Sequence, residues 1–513
     1  MEAFQETIDD DFCNWNWIAS ELNYDLLSSM EFSETTESND DDDSDDFCNS
    51  ILSQFGNSSD DDDQIICAVI VAMSKSLKEK KVPCSPVAYL YATCSSLDNL
   101  EPPDFLIDAL FIILSMVIVR VPVSVLKKKK EYLSKLVLRI LQYRLATKTS
   151  IILGLKWFSY SLTYTDGLIW SHVSPFIYVL LGFLTDSRRK VRQQSHLCLR
   201  DVLLNFQNSP LLSPLSEYIF ERCILPAADD PTKGVKPLLY ILDALEKCLP
   251  ILSSEYQTSV LKYFKSVLDM SQPRVTRRIT DVLMLLCLYP TSEFSPDALL
   301  ELLTSFARSI SSNEMSLSGD GMTVTVRLLD TGINKVYSLN KQICVSELPT
   351  FFNALKDVLT SQHEEAICAA TTALKNIINS CIDETLIKQG VDIITLEENK
   401  KSRTSGPTII EKICATIESL LDHIYVGVWD RVFEVVSSMF HKLGSYSPYL
   451  MRGILKNLEY MQKLPDEDFP FRKQLHVCLG SALVAIGPEN LPSFVHNLNV
   501  EAEDLSEANI WCR

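Results

Sequence analysis

The chain has 513 residues, of which 46% are apolar and 22% charged, so most of it is expected to fold. Glycine is scarce, with 15 residues, which disfavours an all-β chain built on many tight turns. The formal net charge is −20, but residues 1–63 hold 14 Asp, 6 Glu and no Lys or Arg, so that segment alone carries it. The remaining 450 residues are neutral overall and are interpreted separately.

Residues 1–63 are predicted to be a disordered acidic tail. Few apolar groups accompany the aspartate runs Asp40–Asp43 and Asp60–Asp63, whose like charges repel each other. Ser44, Ser58 and Ser59 lie beside these runs, in the context that an acidophilic kinase prefers, and are candidate phosphorylation sites. Each phosphate would add ~1.5–2 negative charges. We expect this tail to compete with RNA phosphates for basic residues of the body.

From about residue 64 the sequence acquires a helical period. Apolar or small residues recur at offsets 0, 4, 7, 8, 11 and 12, which places them on one face of an α-helix. Copies of this pattern begin at Val191, Val275, Ala366, Val432 and Leu475, and weaker versions begin at Leu238 and Leu329. Their mean spacing is about 47 residues, within the ~40–47-residue period of HEAT and armadillo arrays. The pattern predicts an all-α fold: a right-handed α-solenoid of HEAT/armadillo-like helical repeats over residues 64–513, with essentially no sheet.

Two polar stretches, near residues 311–322 and 395–408, separate the more widely spaced repeats and are predicted to be inserted loops. The sequence stops in the middle of a repeat, so the array is expected to be incomplete at its C-terminus. Asp186 before Arg192, and Asp269 before Arg277, are typical of the turn inside a HEAT unit. There an Asp can cap the second helix or pair with a neighbouring Arg.

Motifs for catalysis are missing from the sequence. It contains no P-loop, no GxSxG elbow, no HExxH and no zinc-like spacing of its seven histidines with cysteines. The 15 cysteines are scattered without a CxxC, as expected for reduced thiols of an intracellular protein. Gly167–Thr185 is uncharged but interrupted by Pro175, which favours a buried helix pair over a membrane span. We therefore predict a non-enzymatic protein with no cofactor, metal, small-molecule substrate or membrane partner.

Basic residues concentrate between residues 120 and 200, a segment with 15 Lys or Arg and only three Asp or Glu. The candidate residues for binding RNA or a protein partner are Lys127, Lys128, Lys129, Lys130, Arg188, Arg189, Lys190, Arg192, Arg274 and Arg278. The Arg188 and Arg274 groups occupy equivalent places in their repeats and are expected to line one edge, where they would meet phosphates or acidic peptides. For Arg192 and Arg277 a structural role in the turn is the favoured interpretation. The four lysines are equally compatible with a solvated face, and they also resemble part of a nuclear import signal.

Aromatic residues do not interleave with these basic residues along the sequence. A base-stacking platform is therefore not predicted, and any RNA binding is expected to be directed at the backbone.

Five stretches, in order along the chain, carry a family resemblance: Ser85–Leu90 with Ser95–Asp98, Gln272–Arg278, Trp429–Gly444, Phe469–Lys473 with Ala485–Glu489, and Asp504–Trp511. Together they resemble the ribosomal RNA-processing protein 12 family, which are large nucleolar HEAT-repeat proteins. The resemblance implies a scaffold in ribosome biogenesis that supports pre-rRNA processing and the maturation or nuclear export of pre-ribosomal subunits. It implies pre-ribosomal particles, ribosomal or assembly proteins, pre-rRNA and the Ran export machinery as partners, and no catalytic residue.

Two other classes of protein also use HEAT arrays. A nuclear transport receptor would need an acidic inner surface for basic cargo, whereas this body is neutral with a basic patch. A regulatory scaffold subunit of a phosphatase or kinase complex usually has more uniform repeats. Both remain alternatives to a nuclear, nucleolar ribosome-biogenesis scaffold.

Overall fold

The computed structural model describes residues 46–99, 104–142, 147–163, 169–226, 235–268, 272–290, 294–311, 319–400, 406–465 and 469–487. Within these ranges the regular structure is helical and no strand occurs. The chain divides into two compact units, residues 1–88 and 89–513, which are described separately.

The helices, in chain order, are α1 (Asp46–Phe55), α2 (Asp61–Glu79), α3 (Pro86–Asn99), α4 (Asp104–Ile118), α5 (Val123–Leu141), α6 (Lys148–Thr163), α7 (Trp170–Gly182), α8 (Arg189–Phe206), α9 (Leu212–Ile219), α10 (Val235–Cys248), α11 (Ser254–Leu268), α12 (Pro273–Leu288), α13 (Pro296–Ser311), α14 (Gly319–Leu339), α15 (Lys341–Val358), α16 (Glu364–Cys381), α17 (Glu384–Lys400), α18 (Ile409–Ser419), α19 (Trp429–Leu443), α20 (Ser447–Leu450), α21 (Arg452–Gln462) and α22 (Arg472–Ile486).

The second unit is built of two rows of helices. In the first row each helix packs on the next, in the order α4, α6, α8, α10, α12, α14, α16, α19, α22. In the second row α5, α7, α9, α11, α13, α15 and α18 do the same. Helices of the two rows alternate along the chain, which is the arrangement of stacked HEAT repeats. The predicted all-α HEAT solenoid is confirmed.

Neighbouring helices of the first row run in the same direction where their contacts fix it. Asn376 of α16 donates to Asp330 of α14 at 2.8 Å, and one turn further along both helices Ser380 donates to Asn334. Arg192, in the first turn of α8, contacts Tyr240 in the second turn of α10, and the first residues of α10 and α12 line one cleft. The first turns of α8, α10 and α12 therefore lie side by side at one edge of the stack.

The predicted apolar stripes form the core. Every stripe residue of α8, α12, α16 and α19 is buried, including Val191, Leu283 and Val432. In α16 the stripe begins with Ala366, Ala370 and Ala373, whose small side chains allow the helix to pack closely on its neighbours. In α22 the stripe is only partly covered, since Leu479 and Leu483 are half-buried.

Part of the predicted tail is ordered. Residues 46–55 and 61–63 are helical, and Phe47, Ile51 and Phe55 of α1 are buried in a helix pair with α2. Asp60 caps α2 by accepting the Asp62 amide at 3.1 Å, so the aspartate run is the start of a helix, where negative charge is favourable. The predicted boundary at residue 63 is thus corrected, because the short apolar stretch buries its face. Residues 1–45 lie outside the described residues.

The two predicted loops are shorter than expected. Residues 319–322 already belong to α14, and residues 395–400 still belong to α17. A capping box at Thr408 and Glu411 then starts α18. Residues 312–318 and 401–405 lie outside the described residues, as does Asp269.

A candidate basic edge at three helix starts

The turn between α7 and α8 is held by ionic contacts of its own. Asp186 accepts hydrogen bonds from the Arg188 amide at 2.8 Å and from the Arg188 guanidinium at 2.9 Å. The hydrogen bond from Arg188 and its nearby charge hold the pKa of Asp186 below its usual value. Arg192 donates to the carbonyls of Asp186 and Ser187, at 2.7 and 2.9 Å. Arg188 and Arg192 thus stabilise the turn.

Contacts between repeats engage Arg192 again and one more of the predicted basic residues, Arg278. The Arg192 guanidinium stacks on the Tyr240 ring of α10, with 3.8 Å between Cζ and the ring centroid. Arg278 of α12 reaches back to Asp243 of α10 at 2.9 Å. Arg277 pairs with Asp281 within α12 at 3.3 Å. The structural interpretation favoured for Arg192 and Arg277 agrees with these contacts, and Arg278 belongs with them.

Three exposed cations remain at this edge. They are Arg189, Lys236 and Arg274, in the first turns of α8, α10 and α12. Within the described part of the chain none of the three has an ion-pair partner, and no acidic residue occupies those first turns. Since packed helices lie ~8–10 Å apart, the three cations are spread over roughly 20 Å. We call them the basic edge. Lys190 lies beside Arg189 and is half-buried.

The position of these cations is electrostatically unfavourable. The first turn of a helix exposes backbone N–H groups and the positive end of the helix dipole, so acidic residues are preferred there. Three later helices of the same row follow this preference, with Asp320 in α14, Glu364 and Glu365 in α16, and Asp430 in α19, whereas α22 begins with Arg472 and Lys473. An anion brought to these first turns would make the arrangement on α8, α10 and α12 favourable.

Two surface clefts adjoin Arg274. One, of about 420 Å³, is lined by Lys236, Gln272, Pro273 and Arg274. The other, of about 500 Å³, lies between α10 and α12 and includes Tyr240 and Arg277. The clefts give an extended anionic chain room to pass between the cations of neighbouring helices. Lys236 has no basic neighbour near it in the sequence, so sequence analysis missed it.

The lysine run does not join this edge. Lys127–Lys130 lie in the first half of α5, a helix of the second row, and their side chains point in different directions around it. Lys127 and Lys128 are exposed. Lys130 is half-buried, its Nζ has no hydrogen-bond partner among the described residues, and burial lowers its pKa to about 8. A helix turns about 100° per residue, so four consecutive side chains cannot share one solvent face.

Aromatic side chains do accompany these lysines in space, although they do not in sequence. Lys129 Nζ lies 5.2 Å from the ring centroid of Tyr91 on α3, and Tyr91 and Tyr132 are both exposed. Tyr91 comes from another helix, so its proximity to Lys129 is not visible in the sequence.

The predicted phosphorylation sites fall in two places. Ser58 and Ser59 precede α2, and Ser58 Oγ accepts the Asp60 amide at 3.2 Å next to the helix cap. Ser59 is exposed. Ser44 lies outside the described residues. Phosphorylation at all three stays a prediction.

No group of three or more His, Cys, Asp or Glu in the described ranges is arranged to hold a metal ion. Among the helices that the structure describes, none is long and apolar enough to cross a membrane.

Solved structures with a similar arrangement include Kap95p, 13% identical over 94% of this chain and 56% of that chain, with a TM-score of 0.46. An importin beta structure covers 88% of this chain and 72% of that one, at 12% identity and a TM-score of 0.34.

Two protein-family models match the chain. "RRP12-like, N-terminal HEAT repeats" matches residues 33–294, and "Ribosomal RNA-processing protein 12, HEAT repeats" matches residues 360–512. The RRP12-like proteins of Gallus gallus and Homo sapiens are each 23% identical over 83% of this chain. The chain spans about a third of the length of these curated relatives, 33% and 32%. On the family matches, the chain belongs to the ribosomal RNA-processing protein 12 family of HEAT-repeat proteins.

Proposed function

We propose that this chain is a scaffold in ribosomal RNA processing that binds pre-rRNA phosphates through the basic edge. Its relatives are named for ribosomal RNA processing, which supports the process. The observation that supports the binding role is the row of three exposed cations, Arg189, Lys236 and Arg274, which have no ion-pair partner among the described residues and lie at helix starts where a cation is otherwise unfavourable.

The chemistry of such an edge selects the phosphate backbone. Backbone N–H groups, the helix dipole and a cation act together on an anion at each of the three helix starts. Clefts between the helices admit a chain, and Tyr240, the aromatic residue that lines one of them, has a ring face occupied by the Arg192 guanidinium. Binding is therefore directed at phosphates, tolerant of RNA sequence and strongly dependent on salt.

The proposed scaffold acts by binding and not by catalysis. Its partners are pre-ribosomal particles with their ribosomal or assembly proteins, and its location is the nucleus, in particular the nucleolus. Support for maturation or export of pre-ribosomal subunits, with the Ran machinery, belongs to the same proposal. A nuclear transport receptor or a regulatory subunit of a phosphatase or kinase complex would instead co-purify with cargo and Ran, or with a catalytic subunit.

The test replaces Arg189, Lys236 and Arg274 together by Glu in the tagged chain expressed in cells. The control replaces Lys262, Arg308 and Lys412 by Glu, which changes the charge equally at exposed second-row positions. Crosslinked pre-rRNA is then quantified after purification of each protein. We expect the edge variant to lose pre-rRNA and the control to keep it. Equal recovery of pre-rRNA by both would refute the proposal, and loss of a protein partner alone would make the edge a protein-docking surface.

A further inference from the structure

A polar groove crosses the exposed face of the first row, away from the basic edge. It has a volume of about 650 Å³ and is lined by the end of α12, the second half of α14 and the last turns of α16. The lining residues that matter below are Leu288, Asp330, Asn334, Asn376, Asn379 and Ser380. This groove plays no part in the proposed binding of RNA.

A half-buried carboxylate lies at its centre. Asp330 accepts Asn376 Nδ2 at 2.8 Å on one oxygen and Asn334 Nδ2 at 3.1 Å on the other. No cation pairs with it among the described residues. Lys335 also lines the groove, but its Nζ donates to the Tyr289 carbonyl at 3.1 Å. Each carboxylate oxygen can accept a second hydrogen bond, so Asp330 retains capacity for a donor from outside.

Partial burial of the Asp330 carboxylate disfavours its charged form. Desolvation raises its pKa, although the amides of Asn376 and Asn334 oppose the rise. A carboxylate that is partly removed from water, yet not neutralised by a cation of its own fold, is a strong acceptor for an incoming ammonium or guanidinium.

Amide and hydroxyl groups continue the polar lining along the groove. Ser380 Oγ donates to Asn334 Oδ1, which links α16 to α14 one turn beyond Asp330. Asn379 is exposed on the same side. Asp330 and Asn334, like Asn376 and Ser380, are four residues apart, so each pair is separated by about 5–6 Å. Alternate residues of an extended chain are about 6.5 Å apart, which is a close match.

The rim of the groove is apolar on one side. Leu288, at the end of α12, is 62% exposed and lies in the lining. An apolar side chain on a bound segment can contact it while polar groups face the amides.

We propose that this groove binds an extended peptide segment that carries a lysine or arginine. The basic side chain pairs with Asp330, and backbone groups of the segment exchange hydrogen bonds with the side-chain amides of Asn376 and Asn379. A nucleic acid does not suit the site, because its phosphates would be repelled by the carboxylate.

The test uses a displayed library of random dodecapeptides, selected on the purified chain and counter-selected on the Asp330→Asn variant. Counter-selection removes peptides that bind the acidic residues 1–63, since these are the same in both proteins. We expect the surviving peptides to share a Lys or Arg. They should bind Asp330→Asn and Asn376→Ala about tenfold or more weakly than the unaltered chain. Glu301→Gln, which removes one acidic charge on α13, is the matched control and should bind normally.

Replacing the basic residue of a selected peptide by Gln supplies the second measurement. If the basic residue of the peptide pairs with Asp330, the Gln peptide should bind Asp330→Asn no more weakly than either single change alone makes it bind. The proposal would be overturned if the selected peptides lacked a basic residue, or if the two changes weakened binding additively. It would also be overturned if no peptide distinguished the unaltered chain from Asp330→Asn. The melting temperature of each variant checks that it folds. If Asp330→Asn has a lowered melting temperature, Asn376→Ala takes its place in the binding comparison.

Discussion

Arg192 of α8 and Tyr240 of α10 join two successive repeats by a stacked contact, with 3.8 Å between the guanidinium carbon and the ring centroid. The same guanidinium donates to two carbonyls of the turn before α8. One side chain thus fixes both the turn inside a repeat and the approach of the next repeat. Its neighbour Arg189, three residues earlier, contributes to neither contact.

Replacing Arg192 by Ala should therefore lower the free energy of unfolding by about 2 kcal/mol, as the stack and two hydrogen bonds are lost. Arg192→Lys should cost nearly as much, because an ammonium cannot reproduce the planar stack. Arg189→Ala is the matched control and should change stability by less than about 0.5 kcal/mol. Urea unfolding of the three variants decides this. Equal stability of Arg192→Ala and Arg189→Ala would show that the stack is incidental.

The basic edge should reduce stability in the absence of a ligand. Replacing Arg189, Lys236 and Arg274 by Glu removes an unfavourable interaction with each helix dipole and adds a favourable one, about 0.5–1 kcal/mol per site at low salt. The urea midpoint of the triple variant should rise. The opposite change, Glu365→Lys at the start of α16, should lower it. A triple variant less stable than the unaltered chain would mean that these cations have structural partners.

The core stripe is tested by two leucines of one helix. Leu283 of α12 is 0% exposed and Leu285 is 41% exposed. Leu283→Asp buries an unpaired charge and should cost on the order of 3 kcal/mol or more, whereas Leu285→Asp should cost little. Thermal melting of the pair gives the comparison. Similar melting temperatures would contradict the assignment of the stripe to the core.

Lys130 should make stability depend on alkaline pH. Burial lowers its pKa to about 8, below the value of 10.5 expected in the unfolded chain. Between these values the unfolded chain binds more protons, so stability should rise with pH there, and the cost of the buried charge is fully present below about pH 8. Lys130→Met should therefore melt higher than the unaltered chain at pH 7, with the difference disappearing towards pH 10.5.

Lys128→Met is the control for that experiment, since Lys128 is exposed on the same helix. Its melting temperature should follow that of the unaltered chain at every pH. A pH-independent gain for Lys130→Met would instead indicate improved packing alone.

Sequence periodicity predicted the helices and their buried faces because burial repeats with the helical period. It could not predict which cations are unpaired. Arg188, Arg189 and Arg192 look alike in the sequence, and only the Asp186 turn and the Tyr240 ring distinguish them. Lys236 is a single lysine that packing alone places between Arg189 and Arg274. The polar groove was missed for the same reason, because Asp330 and Asn376 come from different repeats.

The central claim is that Arg189, Lys236 and Arg274 bind RNA phosphates. The most direct measurement is the affinity of the purified chain for a single-stranded RNA between 50 and 200 mM salt, a range over which three phosphate contacts alone weaken binding about twentyfold. For the Glu triple variant we predict weaker binding of every RNA sequence tested and a salt slope flatter by about 2, that is ~0.7 for each lost contact. The Lys262, Arg308 and Lys412 control should keep the original slope. An edge variant with unchanged affinity and slope would contradict the claim.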